Sequence, residues 1–158
     1  MKKIFNLLFC TLLLIGGNIA MSETLEQPFK QGEINPYNKF FTGTTYLSRL
    51  SENDDTWNSS IANVTFEPNA RTNWHKHSGG QILLVTGGKG LYKEEGQPIR
   101  ILNKGDVVRI PPTVVHWHGA YPNEWFAHIS IETNLPNNET TWLEPVSEEQ
   151  YLSLIHIS

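Results

Sequence analysis

The chain has 158 residues, of which 39% are hydrophobic, enough for one domain with one core. Its formal charge is -4, from 12 basic and 16 acidic residues, and loss of Lys2 and Lys3 with a leader leaves 10 against 16, or -6. That field repels phosphate, and with no basic run it excludes a nucleic-acid binder.

The first twenty residues, MKKIFNLLFCTLLLIGGNIA, place two lysines before an apolar run that ends in small residues. The run is short for a membrane span, so residues 1–20 are expected to be a signal peptide cleaved near Ala20. Export to the periplasm or beyond follows, with no membrane attachment after leader removal. The single cysteine, Cys10, lies inside this leader. The mature part then has neither a disulfide nor a thiolate, and its chemistry falls to metal, histidine and carboxylates.

From Ser22 to Tyr37 the chain is polar and broken by Pro28, Gly32 and Pro36; this is an irregular arm or an edge strand where chains pair. Lys39 to Leu50 reads as a first strand, and Ser51 to Ser59 as a polar loop. Ile61 to Phe66 alternates, with Ala62, Val64 and Phe66 on one face. Glu67 to Asn73 is a turn in which Asn69 tolerates positive φ. Gly79-Gly80 is expected to form a bulge before a buried strand over Gln81 to Thr86. Gly87, Gly88 and Gly90 then suggest a tight turn with close backbone approach, followed by a separate strand from Gly90 to Lys93. Further strands are expected over Pro98–Leu102, Asp106–Ile110, Val114–Gly119 and Glu124–Glu132, with turns at Gly96 and Gly105 and a stop at Pro111-Pro112. The last of these strands puts His128, Ser130 and Glu132 on one face. Leu135 to Thr140 is turn-like, and Trp142 to Tyr151 holds a short helix capped by Ser147 and Gln150. The apolar ending LSLIHIS fits neither a strand nor a helix and has the look of a non-native translated end. Many short strands between Gly, Pro and Asn turns mean an all-β sandwich or barrel.

Five of the six histidines gather in two clusters and one nearby strand: His75 and His77, His116 and His118, and His128. Side chains two apart on a strand face the same way, so each His-x-His pair points to one side. Gln81 joins the first pair if the register carries through the glycines. Converging imidazoles without a cation form a costly polar core, since each needs its hydrogen bonds satisfied. Imidazoles with one amide oxygen suit Mn, Fe, Co, Ni or Zn better than Ca. A neutral Gln81 in place of a glutamate leaves a stronger Lewis acid and a poorer stabiliser of oxidised metal, which favours lyase or hydrolytic chemistry. A neutral His128 beside such a cation is a catalytic proton acceptor or a donor that holds a ligand ring. His118, on the same face as His116, is a catalytic pocket residue or a packing residue near the rim.

The stretch WHKHSGGQILLVTGG, with His75, His77, Gln81 and Gly88, resembles the first motif of the cupins. GDVVRIPPTVVHWHGA, with Gly105, Pro111 and His116, resembles their second motif, with Thr113 where a glycine is usual. With NVTFEPNARTNWHKH, FAHISI and EPVSEEQY, the chain is most similar to small bacterial cupins that include manganese-dependent hydroxynitrile lyases. The resemblance implies one jelly-roll barrel over residues 38–146, with an irregular N-terminal arm and a short C-terminal helix, assembled as a homodimer or homotetramer. It implies a metal, Mn first, held by His75, His77, Gln81 and His116, with His128 as the base. The activity implied is cleavage and formation of the C–C bond of a cyanohydrin or a related small hydroxylated compound. Ala62, Val64 and Thr72 would shape the pocket. Two other readings use the same barrel: a metal-dependent dioxygenase acting on a small aromatic or alkene, and a non-enzymatic barrel that binds a small ligand.

Overall fold

The computed structural model describes residues 25–54 and 56–153. The expected leader at 1–20 and residues 154–158 of the LSLIHIS ending lie outside the described residues. In chain order the strands are β1 (Glu33–Ile34), β2 (Phe41–Thr42), β3 (Thr45–Ser51), β4 (Ser59–Phe66), β5 (Arg71–Thr72) and β6 (His75–His77). They continue as β7 (Gln81–Glu94), β8 (Arg100–Asn103), β9 (Val107–Ile110), β10 (His116–Ala120), β11 (Phe126–Thr133) and β12 (Thr140–Trp142), and end in helix α1 (Glu148–Leu152). The main order β1-β3-β4-β11-β7-β10-β5-β2 is antiparallel and curls into the expected jelly-roll barrel.

Strand β7 joins the two walls. Its residues 81–88 pair with β11 and its first four with β9, whereas residues 89–94 pair with β10 and β8. The turn expected at Gly87 to Gly90 is therefore a bend within one 14-residue strand. The glycines are there for close approach rather than reversal. Gly88 has φ +67, and a Cβ on it would stand 1.9 Å from the Trp125 carbonyl oxygen. A Cβ on Gly90 would meet the Phe126 ring at 2.4 Å. A one-residue slip in the β7–β11 pairing between Ala127 and His128 accompanies the bend, as a bulge does.

The strand expected over Lys39–Leu50 is also split, in the opposite sense. A 3-10 turn at Asn38–Phe40 precedes β2, and Gly43, at φ +78, lets the chain leave β5 and enter β3 beside β4. Strand β5 occupies a stretch that read as a turn, and β12 the junction between a turn-like stretch and the one expected to hold the helix, because two or three residues are too few to show a period. The N-terminal arm is irregular until β1, which pairs with β3 of its own chain. Asn69 does take positive φ, at 68°, and so does Thr113, at 67°.

Two apolar clusters fill the fold. One lies inside the barrel around Phe66, Leu83, Val85, Leu102 and Phe126. The other lies outside β10, where Trp74, Leu91 and Trp117 pack under Val146 and Tyr151. Helix α1 closes this second cluster. Ser147 and Gln150 form the expected capping box, and the Tyr151 hydroxyl donates to the Ala120 carbonyl at 2.8 Å. The buried Arg71 guanidinium donates to the Val146 carbonyl at 3.1 Å and to Glu148 at 2.8 Å.

Gly88→Ala should destabilise the protein by about 3 kcal/mol or more in denaturant unfolding, because overpacking adds to backbone strain. Gly96→Ala should cost only about 1–2 kcal/mol, since its positive φ has nothing within 4 Å of the added carbon.

Candidate metal centre

The site is assembled by strand alternation. On β6, His75 and His77 point into the barrel and Lys76 does not; on β10, His116 and His118 point in while Trp117 is buried in the outer cluster. His116 stands directly opposite His75 in the β6–β10 pairing. Gln81 enters from the start of β7, beyond the Gly79-Gly80 break, and lines the same cavity as His75 and His77. His128 comes from β11. All six side chains are buried: His116 and His128 completely, His75 at 1% exposure and Gln81 at 6%.

The rings are crowded. Their centroids are 4.2 Å apart for His75 and His116, 4.8 Å for His118 and His128, and 5.2 Å for His75 and His77. His75 Nδ1 meets the Asn73 carbonyl at 2.9 Å, and His116 Nδ1 meets the Val114 carbonyl at 2.9 Å. A carbonyl only accepts, so each Nδ1 carries the proton and each Nε2 of the neutral ring holds a lone pair. His77 Nδ1 lies 3.1 Å from the Thr140 hydroxyl. The Nε2 atoms of His77 and His116 and Gln81 Oε1 are buried with no hydrogen-bond partner, and so are both ring nitrogens of His118 and of His128. Such a set of unpartnered imidazole nitrogens with one amide oxygen, in a low-dielectric interior, fits a cation.

Burial keeps these imidazoles neutral. It is the largest cause in every case, lowering His77, His116 and His128 from 6.5 to about 4. The neighbouring His116 lowers His77 further, while its contact with Gln81 works the other way. The Val114 carbonyl partly offsets the fall at His116, as the Ile129 backbone does at His128. His75 and His118 lie well below their usual value, from burial first and then from the surrounding imidazoles. Neutral rings are the form that ligates metal and accepts protons.

Sequence reasoning expected six residues here, and the fold brings all six together. One grouping among the histidines takes in His118. His75, His116 and His118 each offer a ring nitrogen, all within 4.8 Å of one another, so these three can hold a metal ion. His118 was expected beside the ligands, not among them, and His77 and Gln81 stand next to this trio. The adjoining cavity has a volume of about 300 Å³. Ala62, Val64 and Thr72 line it as expected. Ser130, Thr140, Phe41 and Trp142 are among the lining residues that went unrecognised. Ser130 was legible, since it follows His128 by two. Thr140 and Trp142 belong to β12, whose three residues gave no signal. Trp142 stacks on Phe40 at 4.8 Å and tilts over His75 at 4.8 Å.

Residues 62–128 match the family model described as a cupin domain. The chain is 42% identical over 112 residues to a protein named (R)-mandelonitrile lyase from Granulicella tundricola, covering 71% of this chain and 86% of that one. A cupin-like protein of Thermotoga maritima is similar in structure, with a TM-score of 0.78 and 46% identity, covering 84% of this chain and 100% of that one. A second Thermotoga maritima structure, described as a predicted oxalate decarboxylase, matches with a TM-score of 0.60 at 16% identity over 71% of this chain and 99% of that one, a likeness of fold alone.

The lowered histidines make the metal-stripped protein acid-sensitive. Between about pH 6.5 and 4 the unfolded chain binds more protons than the folded one, so stability falls with pH across that window and levels off for these groups below it. Denaturant midpoints of chelator-treated protein from pH 7 to 4 check this, and a flat profile would contradict it.

Proposed function

The chain belongs to the cupin family, and from that premise we propose that it is a metal-dependent lyase. In this reading it cleaves, and in reverse forms, the C–C bond of a cyanohydrin or related small hydroxylated compound. One observation carries the reading: His118 and His128 offer unpartnered ring nitrogens beside a buried imidazole and amide donor set. The identity to a relative named as a lyase supports it.

His75, His77, Gln81 and His116 are the proposed ligands, and Mn the first choice, with Fe, Co, Ni or Zn also suited to these donors. When bound, the cation supplies Lewis acidity that lowers the pKa of a substrate hydroxyl. His128 is packed between Phe66 and Phe126, at centroid distances of 5.5 and 5.4 Å, which holds its ring in place. It takes the hydroxyl proton. The oxygen's electron pair closes to a carbonyl, the C–C bond breaks, and cyanide departs with the bonding pair. A ring N–H of His118, 4.8 Å from His128 between centroids, hydrogen-bonds the departing anion, and His128 returns the proton to it. The small side chains of Ala62 and Thr72 leave room for the substrate.

Assembly and location are part of the proposal. A homodimer or homotetramer is supported by Ile34 on β1, Leu50 on β3 and Trp57 in the loop before β4, left 58%, 41% and 65% exposed. Export to the periplasm rests on the leader pattern at residues 1–20.

The test is a cyanohydrin cleavage assay with and without oxygen, on protein whose metal content is measured. Turnover should be equal in both atmospheres; turnover of a phenolic or alkene that needs oxygen would favour the dioxygenase, and no turnover with no metal would favour the binding barrel. His128→Ala should lower kcat by about 10²–10⁴-fold while leaving metal content unchanged. His77→Ala should instead lower metal content in proportion to activity.

A further inference from the structure

We propose that Ser130 is a positioning residue that sets the metal affinity of the centre by holding the amino end of the Gln81 amide. The inference rests on the reading of Gln81 as a ligand. A carboxamide has two ends of nearly the same shape and opposite chemistry, an oxygen that accepts and an NH₂ that donates twice. A carboxylate at this position would have no wrong end. Gln81 has one, so something must receive its N–H when its oxygen faces the imidazoles.

Ser130 is placed to do so. It lies on β11 two residues from His128 and lines the same cavity. Gln81 Nε2 donates to Ser130 Oγ at 2.9 Å. Gln81 Oε1 is left buried without a partner, as is the Nε2 of His77. With Nδ1 donating to the Thr140 hydroxyl, His77 Nε2 carries a lone pair, and two lone-pair atoms then share this buried pocket, which suits a shared cation. The amide also has an alternative: turned over, it directs N–H toward the His77 lone pair and needs no metal. The Ser130 hydroxyl serves either arrangement, because it accepts or donates. Without it the two arrangements separate. The turned amide keeps its N–H on His77 and leaves only a carbonyl without a donor, whereas the metal-facing amide leaves a buried N–H with no acceptor, the costlier orphan. Removal of the hydroxyl therefore weakens metal binding more than it weakens the metal-free fold.

The experiment titrates the chelator-treated protein with Mn(II) and follows the free Mn(II) electron paramagnetic resonance signal. Ser130→Ala should bind about 10–100-fold more weakly, the range for a lost support to a ligand. Ser130→Thr, which keeps the hydroxyl, should restore binding, and the melting temperature of metal-free Ser130→Ala should stay near that of the parent. In a Gln81→Ala background, itself weakened, Ser130→Ala should have no further effect. Parent-like affinity of Ser130→Ala, with Gln81→Ala weakened, would overturn the inference and leave Gln81 a ligand. Parent-like affinity of Gln81→Ala would overturn the ligand reading and the inference with it. An equal loss from Ser130→Ala in both backgrounds would mark a general packing role and overturn the inference alone.

Discussion

Five imidazoles packed into one barrel interior, all held neutral by burial, are the constraint on which the rest of this structure depends. An isolated buried histidine is readily satisfied by one carbonyl. Here two rings have a carbonyl at Nδ1 and a third has the Thr140 hydroxyl, while the Nε2 atoms of His77 and His116 and both ring nitrogens of His118 and His128 have no partner. In a low-dielectric interior such lone pairs are expensive to leave bare. The arrangement makes sense as a receptor for a cation, with the carbonyl bonds fixing which nitrogen faces it.

The surrounding fold serves that geometry. Alternation along β6 and β10 turns histidines inward and Trp74 and Trp117 outward, so both faces of these strands must be covered. The outer face is covered by α1, capped at Ser147 and tied through Tyr151 and Arg71. On the other side, β12 pairs with β6, setting Thr140 beside His77 and Trp142 over His75. The cavity beyond has room for a small molecule, about 300 Å³ lined by apolar side chains and a set of polar ones.

Much of this was legible from local patterns. His-Lys-His and His-Trp-His each state a face, and Ser147 with Gln150 states a helix start. Asn69 was readable as a left-handed residue because few other side chains tolerate that φ. The errors came where tertiary geometry overrides local chemistry. Gly87 to Gly90 carries the residues of a turn, yet the same glycines let one strand bend against Trp125 and Phe126. Gly43, in a stretch rich in strand formers, marks where the chain changes partners. The roles of Ser130 and Thr140 depend on which side chain each meets across the sheet, and pairing between distant segments is not written in either segment alone. The spacing put His118 on the face of His116, and the fold brings its ring nitrogen within 4.8 Å of those of His75 and His116.

That this imidazole cluster can hold one metal ion is the claim on which the proposed chemistry rests. X-ray absorption on protein loaded with a single equivalent of Mn(II) tests it most directly. The predicted spectrum has a first shell of nitrogen and oxygen with the outer-shell scattering of three imidazoles. A spectrum without imidazole scattering, or a folded protein that takes up no metal, would contradict the claim.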